Sequence, residues 1–258
     1  LRTMSRQDEI KTAIGNAVNY SNQLEFCELD LLKDQGWDDA MQGCDYVLHV
    51  ASPFIMENPK DEDLLIKPAK EGTLRMLNAA QQSKIKRVVL TSSIVAMAAH
   101  KKLGSFDPSD WTDLTAPQLT AYEKSKTIAE KAAWDFIQDN QEKHQMELTT
   151  INPGAVMGPT LGPDIHGVSL GICAQMLTKK MPGIPNIAFP MVDVRDVALL
   201  HVRALTIPAA KGKRFIAAAT KPTSMIKLAQ TLKENGYCLK LVAVFAMRFR
   251  DLYHYSNE

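Results

Sequence analysis

Four short apolar runs, separated by stretches of helical periodicity, limit the folds open to this chain more than any other feature. They are LEFCELD (Leu24 to Asp30), DYVLHVA (Asp45 to Ala51), KRVVLTSS (Lys86 to Ser93) and ELTTINP (Glu147 to Pro153). Each is bounded by polar or turn-forming residues, as strands buried on both faces of a parallel sheet are. Ser5 and Asp8 precede Ile10, Ile14 and Val18 at helical spacing, which predicts a capped amphipathic helix. Asp34 to Gly43 predicts a short helix. Leu64 to Gln82 predicts a longer one carrying Leu65, Leu74, Leu77 and Ala80, with Pro68 marking a kink or its regular start. Tyr122 to Gln141 predicts the longest, with Ile128, Ala132 and Phe136 one turn apart. Strand alternating with helix predicts an α/β fold built on a doubly wound parallel sheet, which takes ligands at the carboxyl ends of its strands.

After Pro153 the texture changes to GAVMGPTLGPDIHGVSLG, whose Gly and Pro predict a loop or a smaller lobe over those strand ends. FPMVDVRDVALLHVRAL (Phe189 to Leu205) predicts a strand end running into a helix capped by Asp193, and KRFIAA (Lys213 to Ala218) a further strand. The chain has 258 residues, enough for one large domain with an attached lobe. Its 30 basic and 29 acidic side chains nearly cancel, so nothing asks for nucleic acid or an acidic membrane surface. LVAVFAM, near the C-terminus, is far short of the roughly 20 apolar residues that cross a bilayer. Cys27, Cys44, Cys173 and Cys238 are scattered, with no C-x-x-C pair, and the histidines form no H-E-x-x-H. The expectation is no metal, no disulfide framework and a cytoplasmic location. The opening LRTMSRQDEI has neither an initiator methionine nor the regions of a signal peptide.

The helix expected from Tyr122 opens with YEKSK. Four-residue spacing puts Tyr122 and Lys126 on one helical face, where an ammonium can approach the phenol. A phenol titrates near ~10, so a tyrosine that exchanges protons near neutrality needs a neighbouring positive charge. Thr91, Ser92 and Ser93 end a strand, on the rim where a ligand would sit and a hydroxyl could hold a carbonyl. Either piece alone has an ordinary reading: Y-x-x-x-K starts many amphipathic helices, and serines after a strand cap or turn the chain. Their order within a doubly wound pattern is what points to chemistry.

At these residues the chain resembles the extended short-chain dehydrogenase/reductases, within them the dihydroflavonol-4-reductase-like group that includes cinnamoyl-CoA reductases and aldehyde or ketone reductases. LDLL, GCDYVLHVASP, IKPAKEGTLRMLNAA, KRVVLTSS, YEKSKTIAEKAAW, INPGAVMGP, VDVRDVALLHVRAL and RFIAA carry the likeness in order along nearly the whole chain, HVASP and YEKSKTIAEKAAW most specifically. The resemblance implies a Rossmann-type NAD(P)-binding domain at 1–155 and about 187–204, and a substrate-binding lobe at about 156–186 and 205–258. It implies Tyr122 as proton donor, Lys126 as its ribose-binding and pKa-lowering partner, and Ser93, with Ser92 second, as the hydroxyl that orients the carbonyl. Asp30 and Leu31 would meet adenine, and Val50, Ala51 and Ser52 would line the dinucleotide. Thr91 would sit by the ribose and nicotinamide, Pro153, Gly154, Ala155 and Val156 would pack on the nicotinamide, and Ser169 would reach a phosphate.

The chain departs from this family's pattern in two ways. The family opens with a strand and a G-x-x-G-x-x-G turn that takes the pyrophosphate. Here the nearest glycine series, Gly154, Gly158 and Gly162, is spaced differently and follows another strand, so it is neither that fingerprint nor a P-loop. The expectation is that roughly 30 residues of the family's pattern precede Leu1, and that the end at HYSNE also stops short of the family's final helix. Leu1 and Arg2 align with the end of the family's second strand, where an arginine receives the adenosine 2′-phosphate, and Arg6 follows one turn later. Two guanidiniums favour NADP(H) over NAD. Secondly, Ala98 stands where flavonoid reductases carry an asparagine, which argues against a flavonoid. Ile55, Met56, Ile94, Met97 and Phe189 are candidates to line a pocket for a small hydrophobic aldehyde or ketone, several of them equally readable as core.

The expected activity is NADPH-dependent carbonyl reduction by a monomer or homodimer. A nucleotide-sugar epimerase or dehydratase would use the same Tyr and Lys, and a non-catalytic NADP-binding regulator would keep the fold alone.

Overall fold

The apolar runs become strands where they find neighbours to pair with. The computed structural model describes residues 1–20, 23–55, 58–100, 104–140, 142, 145–162, 168–178, 180–181, 183–237, 239 and 244–245. A 3-10 turn, Met4–Arg6, leads into α1 (Gln7–Gly15), followed by α2 (Trp37–Met41), β1 (Tyr46–His49) and α3 (Asp63–Gln82). Next come β2 (Arg87–Thr91), α4 (Val95–Ala98), α5 (Ala121–Asp139), β3 (Glu147–Pro153), β4 (Ala155–Met157) and α6 (Val168–Leu177). The remainder comprises β5 (Ile184–Pro185), β6 (Ala188–Phe189), β7 (Met191–Asp193), α7 (Val194–Thr206), β8 (Arg214–Ala217), β9 (Thr223–Ser224), α8 (Met225–Glu234) and β10 (Val244–Phe245).

The main sheet is wholly parallel in the order β1-β2-β3-β8, with Val47 opposite Val88, Val89 opposite Thr149 and Ile151 opposite Phe215. The pleat divides its residues between two cores. Val88, Leu90 and Leu148 meet Trp37, Met76 and Leu77, so α2, α3 and α5 cover one face. Val89, Ile151 and Ala217 meet Val197 and Ala204 of α7 on the other. Such fully buried aliphatic side chains each contribute roughly 1.5–3 kcal/mol through removal from water. A third cluster, Met176, Ile184, Met225 and Ala229, joins α6 and α8 to the short strands β5, β6 and β9. This is the Rossmann-like layering of helices on both faces of a parallel sheet.

Several local expectations change. Leu24 to Asp30 forms no strand of the sheet. Instead the Leu1 amino group donates to the Cys27 carbonyl and the Leu29 N–H donates to the Leu1 carbonyl, both at 2.7 Å, so the segment pairs with the N-terminal residue. A strand needs a hydrogen-bonded neighbour, and β1 pairs only with β2 among the described residues. Thr3, not Ser5, supplies the first cap, accepting from the Ser5 N–H, and α1 ends at Gly15, which leaves Val18 exposed. Pro68 lies inside α3 without ending it, near enough to the start that only one helical hydrogen bond is forgone. Asp193 caps α7 as expected. The segment after Leu205, expected in the smaller lobe, supplies β8 to the main sheet.

Candidate active site

The start of α5 is fixed from several directions. Thr120 accepts from the Glu123 N–H at 3.2 Å while the Glu123 carboxylate accepts from the Thr120 N–H at 2.7 Å, a reciprocal capping box. The Asn58 side chain accepts from the Ala121 N–H at 2.9 Å, and Lys124 pairs with Glu62 at 2.8 Å, tying the loop after β1 to the same turn. Tyr122 is held in that turn. Its phenol is set beside the Ser93 side chain, and Phe54 meets its ring edge-on at 5.7 Å between centroids.

Ser93 is itself anchored. Its hydroxyl accepts from the Val95 N–H at 3.3 Å at the start of α4, and its carbonyl accepts from the Asn152 side chain at 3.1 Å. The Ser92 N–H donates to the Ile151 carbonyl at 2.8 Å and the Ile94 N–H to the Pro153 carbonyl at 3.0 Å. The serine turn is thereby stitched to the carboxyl end of β3, where the sheet pattern expects a ligand.

Burial is the largest influence on the Tyr122 phenol and pushes its pKa above the ordinary value. The Ser93 side chain pulls it down, and the Glu123 charge pushes it up. The lowering expected from Lys126 is not among these influences. A raised phenol is nonetheless the protonated form that a proton donor requires. Lys126 is buried, and loss of hydration lowers its pKa to about 8, against a raising effect from Glu130. His49, at the end of β1, is lowered to about 4 by burial and by the Lys126 charge, so it is neutral near pH 7.

Lys126 opens onto a cavity of about 10 Å³ that Ala51, Ser52, Thr73, Thr91, Ser92 and Glu130 also wall. That is room for a single water. The structure thus gathers Ala51, Ser52, Thr91, Ser92 and Lys126 around one cavity, with Ser93 following Ser92 in the chain and Tyr122 one turn before Lys126 on α5. The Thr91 hydroxyl lies 2.7 Å from His201 Nε2, and His201 Nδ1 lies 2.8 Å from the Val197 carbonyl. A carbonyl can only accept, so Nδ1 carries a proton.

Other expected residues are placed elsewhere. Val50 is exposed just past the end of β1. Asp30 accepts from the Leu32 N–H at 3.0 Å, and Leu31 packs on α3 at Gly72, where a Cβ would come within 2.7 Å of the leucine side chain. Neither lines the Lys126 cavity. The Arg6 guanidinium is engaged by Glu9 through bonds of 3.0 and 2.8 Å, and Arg2 is exposed. Pro153 is buried at the end of β3, with Ala155 and Val156 half-buried on β4. Gly154 serves close packing: a Cβ there would lie 2.3 Å from the Pro190 carbonyl oxygen. Ser169 is half-buried in α6.

Of the expected pocket residues, Ile55 is exposed and Ile94 half-buried, and Phe189 packs on the third cluster. Met97 is fully buried, so it belongs to the core and not to a pocket wall. Met56 lies outside the described residues. Among those residues no His, Cys, Asp and Glu side chains gather into a metal-binding group, and no helix is long and apolar enough to cross a membrane.

The sequence did not single out Glu130, although it stands one turn beyond Lys126. Its carboxylate accepts from Arg214 Nε at 2.7 Å, the Asn152 side chain at 2.8 Å, the Thr150 hydroxyl at 3.0 Å, Trp134 Nε1 at 3.3 Å and the Ser92 hydroxyl. Arg214 also donates to the Pro108 and Asp110 carbonyls at 2.7 and 2.6 Å, and its guanidinium lies 3.7 Å from the centre of the Trp111 ring. The available signal was polar side chains, Thr150 and Asn152, alternating inside a run expected as a buried strand.

The family model "NAD dependent epimerase/dehydratase family" matches residues 3–218. The cinnamoyl-CoA reductase CAD2 of Medicago truncatula is 37% identical over 201 residues, which are 75% of this chain and 60% of that protein. The ketoreductase azaE of Aspergillus niger is 37% identical over 237 residues, 85% of this chain and 69% of that protein. The crystal structure of yeast methylglyoxal/isovaleraldehyde reductase Gre2 complexed with NADPH superposes with a TM-score of 0.79 at 28% identity, covering 93% of this chain and 75% of that one. The chain thus spans less than two thirds of the length of the cinnamoyl-CoA reductase it matches. With the site's tyrosine, lysine and serine converging at the carboxyl ends of a parallel sheet, the chain belongs to the NAD dependent epimerase/dehydratase family, the extended short-chain dehydrogenase/reductases.

Proposed function

We propose that the protein reduces a small hydrophobic aldehyde or ketone to the alcohol with NADPH. The observation that carries this reading is the Tyr122 phenol set beside Ser93, with Lys126 one helical turn further on the same helix. The donor set suits the ribose and nicotinamide half of the cofactor: the Tyr122, Thr91 and Ser52 hydroxyls and the Lys126 ammonium, with Pro153 to Val156 as an apolar flank. Arg2 and Arg6 are the candidates for a 2′-phosphate, Arg6 by exchanging its exposed partner Glu9 for it. When bound, NADPH supplies the hydride that the carbonyl carbon receives. Ser93 orients the carbonyl, and the phenol of Tyr122, kept protonated by burial, delivers its proton to the carbonyl oxygen. Similarity to a ketoreductase and an aldehyde reductase supports this reading over an epimerase, in which the reduced cofactor is not consumed.

The domain division is proposed with it: the main sheet and its helices hold the dinucleotide, and the α6 and α8 cluster forms the substrate lobe. Tyr122→Phe in the full-length protein is expected to lower turnover about a hundredfold to ten-thousandfold while NADPH binding persists. NADPH consumption across a panel of aldehydes and ketones is the measurement, and near-normal rates in the variant would overturn the reading.

A further inference from the structure

We propose that Glu130 is a positioning residue for this reaction, the fixed buried counter-charge of Lys126. The inference rests on the reductase reading above. Glu130 follows Lys126 by one turn of α5, so both project from one helical face, and both wall the same water-sized cavity. The carboxylate's side chain is wholly buried, at 0% exposure, and cannot wander. Thr150 and Asn152 hold it from β3, Arg214 from β8, Ser92 from the turn after β2 and Trp134 from α5 itself. The Arg214 guanidinium and four neutral donors thus converge on this one carboxylate.

Lys126 has the opposite difficulty. Its ammonium has been taken out of water, and the surrounding groups offer it little charge. From β1, His49 faces it as a neutral ring. From α3 the cavity wall is Thr73, and the nearby groups on α5 are the protonated Tyr122 and Glu130 itself. Glu130 is the charge that bears on Lys126, and it favours the ammonium. Without it, burial would act alone and Lys126 would shed its proton within the range where the enzyme is expected to work.

The same carboxylate ties Lys126 to the rest of the site. Its bond from Ser92 and its bond from Asn152, which also donates to the Ser93 carbonyl, set the serine turn and the lysine from one anchor.

The test is the titration of Lys126, followed by NMR in protein carrying lysine labelled at Cε, with Lys126→Arg identifying the resonance. In the unaltered protein the midpoint is expected near 8. Glu130→Gln, which keeps the size and loses the charge, is expected to lower it by about one unit or more. Glu130→Asp, which keeps the charge, is expected to restore most of that shift. If the single glutamine variant does not fold because Arg214 is orphaned, the double Glu130→Gln, Arg214→Met removes both charges, and the midpoint should still fall. An unshifted midpoint in a folded glutamine variant, or equal midpoints in the aspartate and glutamine variants, would overturn the proposal. This readout needs no turnover. Survival of activity in Tyr122→Phe would sink the reductase reading with the titration result intact, and an unshifted Lys126 would remove Glu130's role with the reductase reading intact.

Discussion

His49 shows burial deciding the protonation of a side chain that its neighbours in sequence do not explain. It lies at the end of β1, and burial, with the Lys126 charge added, lowers its pKa from 6.5 to about 4. Between those values the unfolded chain binds the proton and the folded one does not, so protonation draws the equilibrium toward unfolding. The stability that neutral His49 allows is complete above pH 6.5 and is lost as pH falls through about 4. The loss integrates to about 3 kcal/mol. His49→Gln, which cannot titrate, should therefore show a flatter decline in denaturation midpoint between pH 7 and pH 4 than the parent protein. Parallel declines would refute the assignment. Tyr122 and Lys126 were legible because their place on one face of α5 is a matter of helical spacing. Glu130 was visible as the next residue in that series, but Arg214, Asn152 and Ser92 reach it from three other segments, and no local pattern records such a convergence.

At the scale of elements, α5 was foreseen with its ends nearly right and its faces wrongly weighted. The apolar series Ile128, Ala132 and Phe136 is only half-buried, while the buried face carries Ser125, Lys126, Thr127 and Glu130. A hydrophobic period finds the face that packs against apolar neighbours and passes over one that packs against a polar column. The start of α5 is set by the capping box of Thr120 and Glu123, a signature that was not read from the sequence. Thr120→Ala should lower stability by about 1 kcal/mol, measured by urea unfolding. It should also loosen the turn that holds Tyr122, so any reductase activity should fall more in Thr120→Ala than in a control substitution at exposed Gln138. Leu24 to Asp30 had the composition of a strand, yet composition does not provide the neighbour that strand pairing demands.

At the scale of the molecule, β3 is the element on which both faces depend. Leu148 points into the core under α3 and α5, and Ile151 into the one under α7. Each is about 1% exposed. Leu148→Ala and Ile151→Ala should each cost about 2–5 kcal/mol, since each leaves a cavity that the close-packed surroundings cannot fill. Because one strand joins the two cores, both variants should unfold in a single transition shared by far-ultraviolet and near-ultraviolet circular dichroism. Separate transitions would show that the two layers are independently stable.

The sequence by itself determined the alternation of strand and helix, the parallel sheet, the Asp193 cap of α7 and the shared helical face of Tyr122 and Lys126. These follow from periodicities and hydrogen bonds that span a few residues. Only the tertiary structure decided that Glu130 is tied to both β3 and β8, that Thr91 meets His201, that β8 joins the main sheet and that Leu24 to Asp30 does not. The reason is physical: desolvation and pairing depend on which distant segments come together, and that is a property of the packed chain.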